Sequence, residues 1–80
     1  MKVDIIMADD WEAIYLNGNV YSQGHTLGEG NSRLFLLKLS EEHNFTSKDI
    51  KEHYVSDDDE EVISNTGCFP SDINELKSKY

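Results

Sequence analysis

Apolar and polar residues alternate at the start of the chain. In Lys2–Met7, the side chains of Val3, Ile5 and Met7 point to one side of an extended backbone, and those between them point to the other. A period of two is typical of a half-buried β-strand. The alternation stops at Asp9-Asp10, so we expect the first strand to end there.

The next extended stretch, Trp11–Leu16, runs directly into Asn17-Gly18. Both turn residues tolerate a positive φ, which suits the two-residue type I′ turn of a β-hairpin. The hairpin carries apolar residues on both faces, so we expect a helix over one face and either further cover or a partner on the other. This turn predicts the pairs Tyr15 with Val20, Ile14 with Tyr21 and Ala13 with Ser22, and places Trp11 on the side of Tyr15.

A broad apolar stripe after the glycine-bearing connection 24–30 predicts the main helix. Either Asn31 or Ser32 is a suitable N-cap, and the pattern ends near Glu41–Asn44. This helix is the best candidate to cover the sheet. Its apolar members are Leu34, Phe35, Leu36, Leu37 and Leu39.

The last thirty or so residues contain weaker signals. Ile50–Val55 alternates as a strand does, although its apolar spacing also suits a helix, and we favour the strand. A short helix is expected to begin near Ser56 or Asp57, because acids in a first turn complement the helix dipole. Gly67–Pro70 breaks the chain, and Ser71–Tyr80 has the spacing of a final short helix.

Together these elements predict one small acidic α+β domain over residues 1–80. An antiparallel β-meander of three strands plus a fourth strand is packed by one main helix, and short helical segments follow at the C-terminus. The hydrophobic fraction of 38% is modest, but its clustering into periodic runs favours a folded chain over a disordered one.

The net charge limits the classes of partner that the chain can bind. Sixteen Asp and Glu oppose seven Lys and Arg, a formal net charge of −9. Such a chain repels polyanions and anionic lipid, so direct binding of nucleic acid or membrane is disfavoured, whereas a protein with a basic surface is attracted. Because Cys68 is the only cysteine and no signal or membrane-spanning stretch is visible, we expect a cytoplasmic protein.

No residue pattern predicts catalysis, a cofactor or a metal site. The histidines His25, His43 and His53 are scattered and lack the close spacing of metal ligands. The alternate acids of residues 57–61 imitate a calcium loop, but Val62 and Cys68 stand where such a loop needs glycine and glutamate. We therefore expect a protein that is not an enzyme.

Two acidic segments, around Asp9 and over Asp57–Glu61, are the candidate binding site. Carboxylates on a rigid scaffold reproduce the charge of backbone phosphates and compete for a basic groove, and exposed aromatic side chains would anchor such a complex. Two alternatives stay open: the second segment is an ordinary first helical turn, and Trp11 is a core residue. The predicted partner-binding residues are Asp9, Asp10, Trp11, Glu12, Tyr21, Asp57, Asp58, Asp59, Glu60 and Glu61.

The stretch Asp10-Trp11-Glu12-Ala13-Ile14-Tyr15-Leu16-Asn17-Gly18, followed by Gly24-His25-Thr26-Leu27, resembles a pattern in short uncharacterised proteins of Gram-positive bacteria and their phages. There the pattern has Asp-Trp-Glu-Gly, an aromatic strand, Asn-Gly and then Gly-His-Ser, and Ala13 and Thr26 depart from it. The resemblance covers about a quarter of the chain and carries no catalytic residues. It implies a phage or mobile-element origin, where a small acidic protein looks like a host-directed inhibitor.

Two hypotheses follow. The first is an inhibitor that mimics nucleic-acid charge and blocks a basic groove of a host nucleic-acid-binding enzyme or defence protein. The alternative is a structural or regulatory adaptor, or a homodimer, that binds through the apolar hairpin face or a sheet edge.

Overall fold

The computed structural model describes residues 1–80, with the side chain of Glu29 excepted. The chain forms four strands, two α-helices and three single-turn 3₁₀ segments. The strands are β1 (Val3–Met7), β2 (Glu12–Leu16), β3 (Asn19–Gly24) and β4 (Ile50–Tyr54), the helices are α1 (Ser32–His43) and α2 (Asp57–Thr66), and the 3₁₀ segments are Leu27–Gly30, Ser47–Asp49 and Ile73–Glu75.

The four strands form one mixed sheet in the order β3-β2-β1-β4. The first three strands are antiparallel neighbours, and β4 pairs parallel to β1, with Val3 opposite Ile50 and Met7 opposite Tyr54. A parallel pair needs a crossover connection, which the segment containing α1 provides between β3 and β4. The predicted α+β class, three-stranded meander and fourth strand are confirmed.

The Asn17-Gly18 turn has positive φ at both residues, 50° and 85°, as the type I′ prediction requires. The predicted pairing of Tyr15 with Val20 is confirmed. Beyond that pair the predicted register is wrong by one residue, because a β-bulge at Tyr21 shifts the partner strand. Ile14 therefore lies opposite Ser22, and Ala13 lies opposite Gln23.

Strand β1 is buried on both faces, so the prediction of a half-buried strand is wrong. The cause is its central place in the sheet, between β2 and β4, with a helical layer on either side. On the α1 face the buried core consists of Val3, Ile5, Ile14, Leu27, Leu39 and Phe45. On the opposite face, the α2 face, it consists of Ile6, Ala13, Tyr15, Ile63, Phe69, Ile73 and Leu76.

The two helices begin and end where local side chains favour it. The Asn31 side chain accepts a hydrogen bond from the Leu34 amide at the start of α1, and Ser56 accepts one from the Asp59 amide at the start of α2. At its C-terminal end, α2 stops at Gly67, which has a φ of 80°. Both predicted helix starts are confirmed.

Residues 71–80 form one 3₁₀ turn, Ile73–Glu75, instead of the predicted final short helix. The backbone amides of Lys77 and Ser78 donate to the Asp59 carboxylate at 2.6 and 3.0 Å, where a helix would direct them to its own carbonyl groups. The segment also pairs with the edge of β3 through a bridge between Asn19 and Asp72. It thereby completes the layer that covers the α2 face.

Candidate functional site

The fold brings the two predicted acidic segments together at one end of the sheet. The amide of Val55 donates to the carbonyl of Met7 at 2.9 Å, so the chain leaves β1 and enters α2 at neighbouring points. The connection between β1 and β2 is closed by a 2.7 Å hydrogen bond from the Ala8 amide to the Trp11 carbonyl. Asp9 lies in this tight connection, beside the first turn of α2.

A cavity of about 290 Å³ opens between the β1–β2 connection and α2. The carboxylates of Asp9, Asp10 and Glu60 line it together with the apolar side chains of Trp11 and Ile63. We call this feature the acidic cleft. It combines charged walls with an apolar surface, which neither acidic segment supplies alone.

The carboxylates of the acidic cleft repel one another. The charge of Asp9 is the main cause that raises the pKa of Glu60 above its ordinary value, with smaller contributions from desolvation, a hydrogen bond with Asp9 and the charge of Asp57. Among the described residues, the ion pairs use the carboxylates of Asp4 and Asp49 and none from the acidic cleft. The acidic cleft therefore holds negative charge that the described side chains leave uncompensated.

Trp11 is half-buried and held in place on two sides. Its indole N–H donates to Gln23 Oε1 at 2.9 Å, and its ring meets the His25 ring edge-on with centroids 4.9 Å apart. His25 is itself fixed, because its Nδ1 lies 2.9 Å from the Asp10 carbonyl oxygen. Trp11 packs against the core of the α2 face and also lines the acidic cleft, so both sequence-based interpretations of this residue describe part of its environment.

Asp59 does not lie on the acidic surface. Its side chain is fully buried, and hydrogen bonds from Ser56 and Tyr80 reach Oδ2 at 3.0 and 2.7 Å, in addition to those from the Lys77 and Ser78 amides. Desolvation raises its pKa, but the hydrogen bonds outweigh that effect and the pKa lies below its ordinary value. Asp59 joins the start of α2 to the C-terminal segment and has no free acceptor face for a partner.

Two other predicted residues lie away from the acidic cleft. Glu12 is half-buried and accepts a hydrogen bond from the Leu27 amide at 3.3 Å, which ties β2 to the 3₁₀ segment Leu27–Gly30. Tyr21 lies on the α1 face, with its ring against those of Phe35 and His43 at centroid distances of 6.4 and 5.4 Å. The remaining predicted residues of α2, Asp57, Asp58 and Glu61, are exposed near the acidic cleft or along the helix.

The sequence interpretation missed Ile63, which follows Glu60 by three residues and lies on the same side of α2. The three-residue spacing between Glu60 and Ile63 is the sequence signal that could have identified Ile63 as part of the site. It also missed the buried carboxylate of Asp4, whose Oδ1 lies 2.9 Å from His53 Nε2 and whose Oδ2 lies 3.5 Å from Lys2 Nζ. This second group links β1 to β4 and contributes no residue to the lining of the acidic cleft.

The surfaces named for the alternative hypothesis are covered only in part. Ala13, Ile14 and Tyr15 of the hairpin are fully buried beneath the two helical layers, whereas Tyr21 is 47% exposed. The edge of β3 is paired in part with Asp72. Strand β4 forms the other edge of the sheet, and among the described residues no strand pairs with its outer side.

The described residues, those of the acidic cleft included, lack two further features. They contain no group of three His, Cys, Asp or Glu side chains placed to hold a metal ion. No helix in this part of the chain has the length and apolar character needed to cross a bilayer. Comparisons of the chain with protein-family models, curated proteins and solved structures give no match.

Proposed function

We propose that this protein is a non-enzymatic binding module whose acidic cleft receives a basic side chain from the surface of a partner protein. The observation that carries the proposal is the composition of the acidic cleft, where three carboxylates surround a cavity of about 290 Å³ that Trp11 and Ile63 also line. Arginine and lysine combine an apolar stem with a charged head. The stem would pack against Trp11 while the head pairs with the carboxylates.

Arginine fits this arrangement better than lysine. Its planar guanidinium stacks on aromatic rings and donates to two carboxylate oxygens at once, whereas an ammonium acts as a single compact charge. Trp11 is already fixed by Gln23 and His25, so little side-chain entropy is lost when a partner residue docks. The repulsion between Asp9 and Glu60 would be relieved by the incoming cation.

Basic surfaces rich in arginine are the surfaces that bind nucleic-acid phosphates. A protein that occupies one of them excludes DNA or RNA by competition. This reasoning supports the more specific proposal of an inhibitor that mimics nucleic-acid charge, and the resemblance to short phage proteins is consistent with a host protein as its target. The partner in either case is a protein and not the nucleic acid itself.

The chain offers a direct experiment, because Trp11 is its only tryptophan and its fluorescence reports on the acidic cleft. We expect a short arginine-rich peptide to change that fluorescence in a saturable way, and a lysine peptide of the same length to bind more weakly. The double substitution Asp9→Asn and Glu60→Gln should weaken arginine-peptide affinity by about tenfold, or about 1.4 kcal/mol, and flatten its dependence on salt.

The matched control is the double substitution Glu42→Gln and Glu52→Gln, which changes the net charge equally at exposed positions remote from the acidic cleft. It should leave the affinity within about twofold of the unmodified protein, since long-range effects of exposed charges are screened. Equal losses in the two double variants would show that net charge alone drives binding, and an unchanged affinity in both would refute the proposal.

A further inference from the structure

A second cavity adjoins the acidic cleft on the side of β4. It has a volume of about 360 Å³, and its lining includes Met7, Tyr54 and Val55 together with Asp9 and Glu60. We call this feature the β4 cavity. Because Asp9 and Glu60 also line the acidic cleft, these two carboxylates lie at the boundary between the two cavities. One pair of acids therefore faces two separate recesses.

Tyr54 is the aromatic residue of the β4 cavity, and it is 83% exposed. The other tyrosines each lie against a further ring: Tyr15, Tyr21 and Tyr80. Among the described side chains, Tyr54 takes part in no such ring pair. The face of an aromatic ring attracts a guanidinium group. Tyr54 therefore offers the β4 cavity what Trp11 offers the acidic cleft.

The sheet sets the separation between the two aromatic residues. Met7 of β1 lies opposite Glu12 of β2 on one side and opposite Tyr54 of β4 on the other. Trp11 directly precedes Glu12, so the backbones of Trp11 and Tyr54 are about two strand spacings, or about 10 Å, apart. In an extended segment, residues i and i+2 point to the same side and lie about 7 Å apart. Arginine side chains are long enough to diverge by the remaining distance.

We propose that the partner presents two arginine side chains from one extended basic segment, at positions i and i+2, with one in the acidic cleft and the other in the β4 cavity. This inference rests on the proposed function, because it extends the same site to a second side chain. Each carboxylate has two acceptor oxygens, so Asp9 and Glu60 can accept hydrogen bonds from both guanidinium groups at once. Two positive charges then match the two carboxylates that separate the cavities.

Fluorescence titration of the full chain tests the inference, with Trp11 as the reporter in the acidic cleft. Three peptides of equal length carry Arg-Ser-Arg, Arg-Ser-Lys or Arg-Ser-Ser at their centre. We expect the Arg-Ser-Arg peptide to bind about tenfold more tightly than the Arg-Ser-Ser peptide, because binding of the first arginine holds the second close to its cavity. The Arg-Ser-Lys peptide has the same charge but lacks a second planar group, so its affinity should lie between the other two.

The substitution Tyr54→Ala removes the aromatic face of the β4 cavity and leaves the reporter in place. It should weaken binding of the Arg-Ser-Arg peptide by about three- to fivefold, and it should change binding of the Arg-Ser-Ser peptide by less than about twofold. Tyr54→Phe keeps the ring and should keep the affinity. Leu34 and Leu37 of α1 are 46% and 63% exposed and line neither cavity, so Leu37→Ala is the matched control for loss of an exposed side chain. Circular dichroism verifies that each variant keeps the fold.

The outcomes separate this inference from the proposed function. A loss confined to the Arg-Ser-Arg peptide in Tyr54→Ala, and absent in Leu37→Ala, supports two arginine sites. Saturable binding of the Arg-Ser-Ser peptide refutes the second site if the Arg-Ser-Arg peptide binds no more tightly than the Arg-Ser-Lys peptide, or if Tyr54→Ala affects both arginine peptides equally or neither. The acidic cleft would then remain a receptor for one arginine. If no peptide changes the fluorescence of Trp11 in a saturable way, the proposed function fails and this inference fails with it.

Discussion

Asp59 illustrates how one carboxylate organises a segment of this protein. It is fully buried, and it accepts hydrogen bonds from two backbone amides and two hydroxyl groups at the junction of α2 with the C-terminal segment. Hydrogen bonds to an ionised carboxylate are stronger than those between neutral groups. The neighbouring Asp58 is exposed. Adjacent residues of one acidic run thus have different roles, which composition alone does not reveal.

The first prediction concerns the substitution Asp59→Asn. An amide cannot satisfy the same four donors, so we expect the free energy of unfolding to fall by about 2–3 kcal/mol. Urea unfolding measures it, and Asp58→Asn is the matched control, expected within about 0.5 kcal/mol of the unmodified protein. A loss of the same size in the control would show that the charge run acts as a whole.

The lowered pKa of Asp59 predicts that the stability of the protein depends on pH. The pKa of Asp59 is lower in the folded than in the unfolded state, so its contribution is present above the ordinary carboxyl pKa of about 4 and is lost as the pH falls through the lower folded value. The stability of Asp59→Asn should therefore fall less steeply over that acidic window. Parallel curves for the two proteins would contradict this assignment.

At the scale of elements, features with a local cause could be predicted from sequence. The Asn17-Gly18 turn, the Asn31 cap and the Ser56 cap each act within a few residues of the structure they define. The absence of a final α-helix could not be predicted, because it depends on hydrogen bonds from the Lys77 and Ser78 amides to Asp59, a distant part of the chain. The sequence named all three carboxylates of the acidic cleft, but their assembly with Ile63 required the tertiary fold.

Two glycines with similar φ values give a matched test of packing at α1. Gly28 and Gly67 have φ values of 68° and 80°. A Cβ atom added at Gly28 would lie 2.5 Å from the Cβ of Phe35. A Cβ atom added at Gly67 would meet no heavy atom within 4 Å. Gly67→Ala should lose about 1 kcal/mol of stability from backbone strain alone. Gly28→Ala should lose a further 1–3 kcal/mol or so, because Phe35 must shift. Chemical denaturation compares them, and equal losses would contradict the close contact with α1.

At the scale of the whole molecule, the sheet separates two different surfaces. The acidic cleft lies at the end of the sheet beside α2, and the exposed leucines lie on α1. The formal charge of −9 acts on both. Self-repulsion of this kind destabilises a compact state and is reduced by salt.

The last prediction follows from that charge. Raising the ionic strength from about 0.01 M to about 0.15 M shortens the Debye length from about 30 to about 8 Å, and we expect the free energy of unfolding to rise by about 0.5–1 kcal/mol. Thermal or urea unfolding at several sodium chloride concentrations measures it. A fall in stability over that range would mean that attractive ion pairs outweigh the repulsion among the carboxylates.

The parallel pairing of β1 with β4 has a consequence for how the molecule is made. Val3 pairs with Ile50, so this ladder cannot form before residue 50 has been synthesised, whereas the β2–β3 hairpin needs only its own short turn. Pairings between distant residues form slowly, since a long loop must be ordered first. During synthesis, the hairpin can therefore form before the acidic cleft exists, because the acidic cleft needs Glu60 and Ile63 of α2, which follow β4 in the chain.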